Sequence, residues 1–429
     1  MTAEAGAADE ARRAADLAAR ASYGRLLSLL ARDWRDLAAA EDALAEAFRL
    51  ALDRWPSDGV PARPEAWLLT TARRQLIDGR RRQTIRAAAE PTLTLLAEQD
   101  ANTDGFAFPD ERLKLLFVCA HPAIDPAARA PLMLQAVLGL DATRIAQAFL
   151  TSPAALGQRL VRAKAKIRDA RIAFAIPERA ELPGRLDAVL QAIYAAYGSG
   201  WEDIAGADLR RRGLAEEAIW LARLVIQLLP GEPEARGLLA LMLHGEARRE
   251  ARRSSDGAFV PLAEQDTARW SAPLIEEAEA ELAQAARHAA LGPFQLEAAI
   301  QSVHAARAVT GHTDAAALAR LYEGLARLAP TTGVLVSRAA ALAEASGPQA
   351  GLSALAELPA GDVMSYQPFW ALKAHLLRRS GQDEAARDAY ARAIGLTSDP
   401  AIRDFLMSAS QRPADRTSTS GERTHPAGR

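Results

Sequence analysis

Residues 152–171, SPAALGQRLVRAKAKIRDAR, carry Arg159, Arg162, Lys164, Lys166, Arg168 and Arg171 against a single acid, Asp169. Leu156, Leu160, Ala163 and Ile167 recur between them at helical spacing, so one narrow stripe faces a core and the flanks are basic. Clustered cations along a helix suit a row of phosphates. The whole chain has a formal net charge of −2, so this local excess does not follow from a basic composition. A second cluster lies in EAWLLTTARRQLIDGRRRQTIR, residues 65–86, with Arg73, Arg74, Arg80, Arg81, Arg82 and Arg86 beside Trp67. Arg73 with Arg80, and Arg74 with Arg81, are seven residues apart and share a helix side. Cations beside an aromatic offer a nucleic-acid strand both charge and a flat face for an unstacked base. The bland alternatives are a solvated basic face and a core tryptophan. The third feature is acidic. In DLAAAEDALAEAFRLALDRW, residues 36–55, Leu37, Leu44, Phe48, Leu52 and Trp55 mark one helical face, and Glu41, Asp42 and Glu46 form a ridge away from it. DNA repels such a ridge, so it faces a protein partner or water.

Other chemistries find little support. The seven histidines are scattered; His288, His304 and His312 have no H-x-x-x-H spacing, and His121 beside Cys119 reads as a hydrogen-bonded core residue. One cysteine excludes an internal disulfide framework and a cysteine-based zinc site. No G-x-x-x-x-G-K-[ST], G-x-G-x-x-G or G-x-S-x-G sequence marks a phosphate or acyl site. No enzyme activity, cofactor or metal is expected.

The elements that must position these residues are helical. Alternating β-branched patterns are essentially absent, which predicts an all-α fold. No uncharged apolar run reaches membrane-spanning length, and the N-terminus has no apolar signal region, so a cytoplasmic chain is expected. Before the first basic stretch, LDATRIAQAFL places Ile145, Ala146 and Phe149 in a short helix opened by Asp141 or Thr143. After a break at 150–152, Ser152 and Pro153 supply a cap and a favoured first helical residue. Helix, break and basic helix is the helix-turn-helix plan, in which the second helix enters the major groove. The chain is expected to divide into an N-terminal segment at 1–19, a helical block at 20–86, a linker at 87–110, a second block at 111–175, a helical array at 183–408, and a disordered polar tail at 409–429.

This order of parts resembles the extracytoplasmic-function sigma factors of bacterial RNA polymerase, which keep only regions 2 and 4. LAAAEDALAEAFRLALDRWP resembles the part of region 2 that docks on the clamp helices of the polymerase β′ subunit. PEAWLLTTARRQLIDGRRR resembles the part that melts and reads the −10 promoter element. The stretch from DERLKLLFVCAHPAID to QRLVRAKAKIR resembles region 4, which reads the −35 element and contacts the β flap. The DERL and CAHPA stretches are similar to a subgroup with a long tetratricopeptide-like C-terminal extension. The resemblance implies polymerase contact at Glu41, Asp42, Glu46 and Phe48. It implies −10 contact at Trp67, Arg73, Arg74, Arg80 and Arg81, after a base-selecting loop at 56–64. It implies −35 contact at Ala154, Gly157, Gln158, Arg159, Val161, Arg162 and Lys164. Arg74 stands where the subgroup usually has asparagine, Gly157 leaves a gap in the recognition helix, and CAHPA lacks a second cysteine.

In the C-terminal half, Gly213, Ala218, Ala222, Val225 and Pro230 have offsets of 5, 4, 3 and 5, and Gly381, Ala386, Tyr390 and Ala393 repeat the first three. Small residues so placed let antiparallel helices approach closely, as in the tetratricopeptide unit; Pro400 comes two residues late in the second copy. Two functions follow. The first is a dissociable promoter-specificity subunit, with core RNA polymerase and promoter DNA as partners, controlled by its extension through a protein or small-molecule ligand. The second is a tetratricopeptide-type scaffold or one-component DNA-binding regulator that acts without polymerase.

Overall fold

The computed structural model describes residues 2–34, 36–87, 108–149, 151–169, 177–201, 209–397 and 399–411. The expected linker lies almost wholly outside these residues, as does most of the expected tail. Among the described residues every extended element is helical, and the exception is an isolated antiparallel bridge between Arg253 and Phe259. The all-α expectation holds. The chain forms two compact units, Met1–Ala235 and Arg236–Arg429.

The first unit begins with a bundle of α1 (Thr2–Trp34), α2 (Leu37–Asp58) and α3 (Pro64–Ala87). Asp36 opens α2 by accepting the Ala39 N–H at 3.0 Å, the usual N-cap arrangement. Its buried stripe is Leu37, Ala40, Ala43, Leu44, Ala47, Ala51 and Trp55. Small alanines there let α1 and α3 come close. Leu52, expected on that face, is instead 46% exposed, because the true stripe passes through Ala51 and Trp55. Pro56, expected to open a loop, lies inside the last turn of α2, and the connection to α3 starts at Gly59. Asp33 on α1 pairs with Arg73 on α3 at 2.7 Å across the bundle.

Four shorter helices follow: α4 (Glu111–Cys119), α5 (Pro126–Ala136), α6 (Ala142–Ala148) and α7 (Pro153–Asp169). Each starts at a polar cap. Asp110, Asp125, Asp141 and Ser152 accept backbone N–H groups from Leu113, Ala127, Arg144 and Ala155 respectively. Leu113, Phe117, Leu132, Met133 and Ile145 fill their shared core. Next come α8 (Pro183–Trp201) and α9 (Leu209–Leu228), an antiparallel hairpin in which Ala218, Ala222 and Val225 are fully buried. It packs on α4 to α6. Arg185 of α8, 4% exposed, donates to the Phe117 carbonyl at 3.2 Å and pairs with Glu181 at 2.9 Å. Arg112 of α4 pairs with Glu217 of α9 and stacks 4.4 Å from the Trp220 ring.

The division between units falls within α10 (Pro233–Ala247). The second unit continues with α11 (Ala272–Ala285), α12 (Pro293–Ala305), the short α13 (Arg307–Thr310), α14 (Ala315–Leu328), α15 (Thr332–Ser346) and α16 (Pro348–Ala356). It ends with the short α17 (Ala360–Val363), then α18 (Gln367–Arg379), α19 (Asp383–Leu396) and α20 (Pro400–Gln411). Sequential helices pack as hairpins around apolar clusters, among them those centred on Ile300, Phe369 and Tyr390. Ala386, Tyr390 and Ala393 of the second predicted repeat copy are buried between α18, α19 and α20. The expectation of helix throughout this half needs one correction. Residues 248–271 are not α-helical; they form three short 3₁₀ turns and the single bridge. Gly257, Pro261 and the SSDG run break the helical pattern there.

Candidate nucleic-acid interface

On α7 the predicted apolar stripe is the buried one: Leu156, Leu160, Ala163 and Ile167 are each at most 6% exposed. Packing that stripe against α5 and α6 fixes which side chains point outward. Ala154, Gln158 and Arg162 are exposed, and Val161 is 67% exposed. Arg159 and Gly157 are half-buried at the edge of this face, and a Cβ at 157 would meet open space. On this side of α7 the exposed Val161 stands between the half-buried Arg159 and the exposed Arg162. Lys166 is also exposed. The side chain of Arg168, and Arg171 entirely, lie outside the described residues.

Lys164 points the other way. Its ammonium pairs with the Glu41 carboxylate of α2, and the two side chains are 20% and 13% exposed. Glu41 therefore does not stand on an open acidic ridge. Burial raises its carboxyl pKa above the usual range, and the hydrogen bond and charge of Lys164 oppose that shift. Asp42 next to it is exposed. Glu46 is bound at 2.7 Å by Arg49, whose hydrogen bond holds its carboxyl below the usual range. Arg49 also reaches Asp53 at 2.6 Å, so the ridge carries its own counter-ion. Phe48 is half-buried, its ring 6.4 Å from that of Tyr23 on α1.

On α3, Arg74 is exposed and Arg73 is held by Asp33. Trp67 is half-buried, its ring edge-on to Trp55 at 5.5 Å, which is the geometry of a core aromatic pair with one accessible side. The helix continues through Arg80 and Arg81, but their side chains are outside the described residues. His121 is hydrogen-bonded as expected, its Nδ1 accepting the Ala123 N–H at 3.1 Å, but it is half-buried and not a core residue; desolvation and Arg185 lower its pKa. Cys119 is buried, which pushes its thiol pKa up to about 12 and makes it unreactive. Sequence reasoning did not find Asp33, Arg112, Arg185 or Glu217. The contacts that matter here, Asp33 to Arg73, Arg112 to Glu217 and Arg185 to the Phe117 carbonyl, join residues far apart in the chain, which local spacing does not mark.

Among the described residues no group of three or more His, Cys, Asp or Glu could hold a metal ion, and no helix is long and apolar enough to cross a membrane.

Comparison with known proteins agrees with the α1–α3 bundle. Residues 19–85 match sigma-70 region 2. Residues 185–286 match a family of unknown function (DUF6596), starting at the buried Arg185. An uncharacterized protein of Rhizobium meliloti (strain 1021), R00370, is 38% identical over 399 residues, covering 91% of this chain and 94% of its own length. No solved structure matches the chain. The match of residues 19–85 to sigma-70 region 2 supports an RNA polymerase sigma factor, and the chain belongs to the family of this rhizobial protein.

Proposed function

We propose that the protein is a cytoplasmic, non-enzymatic promoter-specificity subunit of the extracytoplasmic-function type. It directs core RNA polymerase through −10 and −35 recognition, under the control of its C-terminal helices. The observation that carries this is the conjunction of a sigma-70 region 2 at residues 19–85 with an outward basic helix, α7, seated by a buried stripe behind a capped turn. Region 2 alone accounts for polymerase and promoter partners. The exposed Gln158, Val161 and Arg162 supply a second DNA contact, with Ala154 where the helix enters the groove. In this proposal α4 to α7 act as region 4, and Asp42, Glu46 and Phe48 face the β′ clamp helices. The helices from α8 to α20, residues 183–408, act as a tetratricopeptide-like array for a protein or small-molecule ligand. Control by the extension is supported by its first hairpin: α8 and α9 are fixed to α4 by the Arg185 and Arg112 contacts. Any rearrangement of α8 and α9 is therefore felt by the helices that seat α7.

Reversing Asp42 and Glu46 to lysine places cation against cation across a complementary interface, which costs several kcal/mol. The expected result is loss of association with core polymerase in a pull-down, with helix content nearly unchanged. A double variant that still co-purifies with core polymerase would point instead to the scaffold or one-component regulator.

A further inference from the structure

The α1–α3 bundle meets α4–α7 through packing of α1 on α4 and, among the described residues, through three further contacts. The first is the Lys164–Glu41 ion pair between α7 and α2. Glu41 has the exposed Asp42 beside it, and its charge is felt by Tyr23 and by Cys119, so Lys164 is the cation that satisfies it. Its second oxygen, Oε1, is buried with no hydrogen-bond partner. The second contact is Tyr23 on Gly139, just after α5. A Cβ at 139 would lie 3.5 Å from the ring, and φ there is +64°, a conformation that glycine adopts freely. The third is Gly24, where a Cβ would come within 2.0 Å of the Val137 carbonyl oxygen. Backbone that meets backbone with no room for a methyl group is a fitted joint.

We propose that the Glu41–Lys164 pair is a latch that holds the two bundles closed in the free protein, tying the polymerase-facing helix α2 to the DNA-reading helix α7. For the identity of the partners that open it, this rests on the function proposed above. Glu41 cannot hold Lys164 and meet a polymerase surface together, so closure reduces affinity by the fraction of molecules that are open. Lys164 is likewise withheld from phosphate until the pair parts. The joint at Gly24 and Gly139 sets the closed geometry, and the ion pair supplies a contact that another charged surface can replace.

The test uses the full chain with dyes on Arg54→Cys of α2 and Gln147→Cys of α6, both exposed positions, with the buried Cys119 retained. Energy transfer reads the separation of the bundles in free protein, and circular dichroism checks that each variant is folded. Transfer is expected to fall in Lys164→Glu, and to return when Glu41→Lys is added and the pair is rebuilt with its charges exchanged. Gly24→Ala touches neither charged residue and should also lower transfer, by wedging the joint. It should raise core polymerase affinity about tenfold, by removing the closed population. Unchanged transfer in a folded Lys164→Glu variant overturns the latch, whatever Gly24→Ala does. So does a Gly24→Ala variant that opens without any gain in core affinity when the wild type binds core polymerase. If wild type and variants all ignore core polymerase while transfer follows the expected pattern, the latch stands and the sigma-factor function is what fails.

Discussion

Arginine serves opposite purposes on the outward faces of α3 and α7 and in the irregular stretch at 248–271. On those faces Arg74 and Arg162 stand in solvent, and Arg162 donates at 3.3 Å to the Gln158 carbonyl of its own helix. The 248–253 stretch is nearly as rich in arginine, yet its cations turn inward. Arg253 meets Asp399 at 2.8 Å and lies over Phe259, while Arg248 bonds Gln301. Arg307 donates to the Ala263 and Gln265 carbonyls at 2.7 and 2.8 Å and covers Trp270. The guanidinium fork replaces missing backbone partners where the chain leaves helix at 248–271. A run of arginines is thus a surface when a regular helix carries it past its neighbours, and a brace when the backbone is irregular.

The largest effect expected from that contrast is functional. Arg159→Ala with Arg162→Ala should weaken promoter binding by about 4 kcal/mol, since each direct contact is worth about 1–3 kcal/mol. Stability by chemical denaturation should stay within about 0.5 kcal/mol of wild type. Intact promoter binding by a folded double variant would remove α7 from the interface. In the second unit the expectation reverses. Arg253→Ala leaves Asp399 without its cation and should cost about 3 kcal/mol of unfolding free energy in urea, while DNA affinity per folded molecule is unchanged. A stability-neutral result would mean that this arginine is no brace.

A smaller effect comes from His244, 1% exposed, whose pKa burial lowers to about 4, with the nearby Arg248 acting in the same direction. The Glu279 carboxylate lies 3.5 Å away but is 45% exposed, too solvated to offset the burial. Between pH 6.5 and 4 the unfolded chain takes up a proton that the folded one refuses. Stability of the second unit should therefore fall by about 2 kcal/mol as pH drops through that window. His244→Leu should flatten the slope, and denaturation curves at pH 7, 5.5 and 4.5 measure it. An equally steep slope in the variant would assign the dependence to other groups. The smallest effect is at Lys166: its change to alanine should weaken binding to all sequences alike and lower the salt slope by about 1. A sequence-dependent loss would instead place Lys166 at a base edge.

Much of this was legible in the sequence, and the parts that were not have a common cause. Helical periodicity gave the stripe of α7 because Leu156, Leu160, Ala163 and Ile167 sit at spacings of 4, 3 and 4, and the structure buries all of them. The caps at Asp141 and Ser152 were readable for the same reason, since a cap is local chemistry. Leu52 misled because one hydrophobic residue at the edge of a helical face fits two stripes, and the alanines that decide between them look neutral in sequence. The fate of Lys164 could not be read, because Glu41 is 123 residues away and only the fold brings the two together. The inward arginines of 248–253 and the non-helical turn around them share that non-local origin: Asp399 and Gln301 are fixed by packing that no short window displays.

The most direct measurement of the central claim is transcription in vitro on fragmented genomic DNA of the source organism, using core RNA polymerase with and without the full-length protein, and mapping RNA 5′ ends. The account predicts new start sites that share two sequence elements upstream, near −10 and −35, and that vanish with Asp42→Lys and Glu46→Lys. The same 5′ ends with and without the protein, at saturating folded protein, would contradict it.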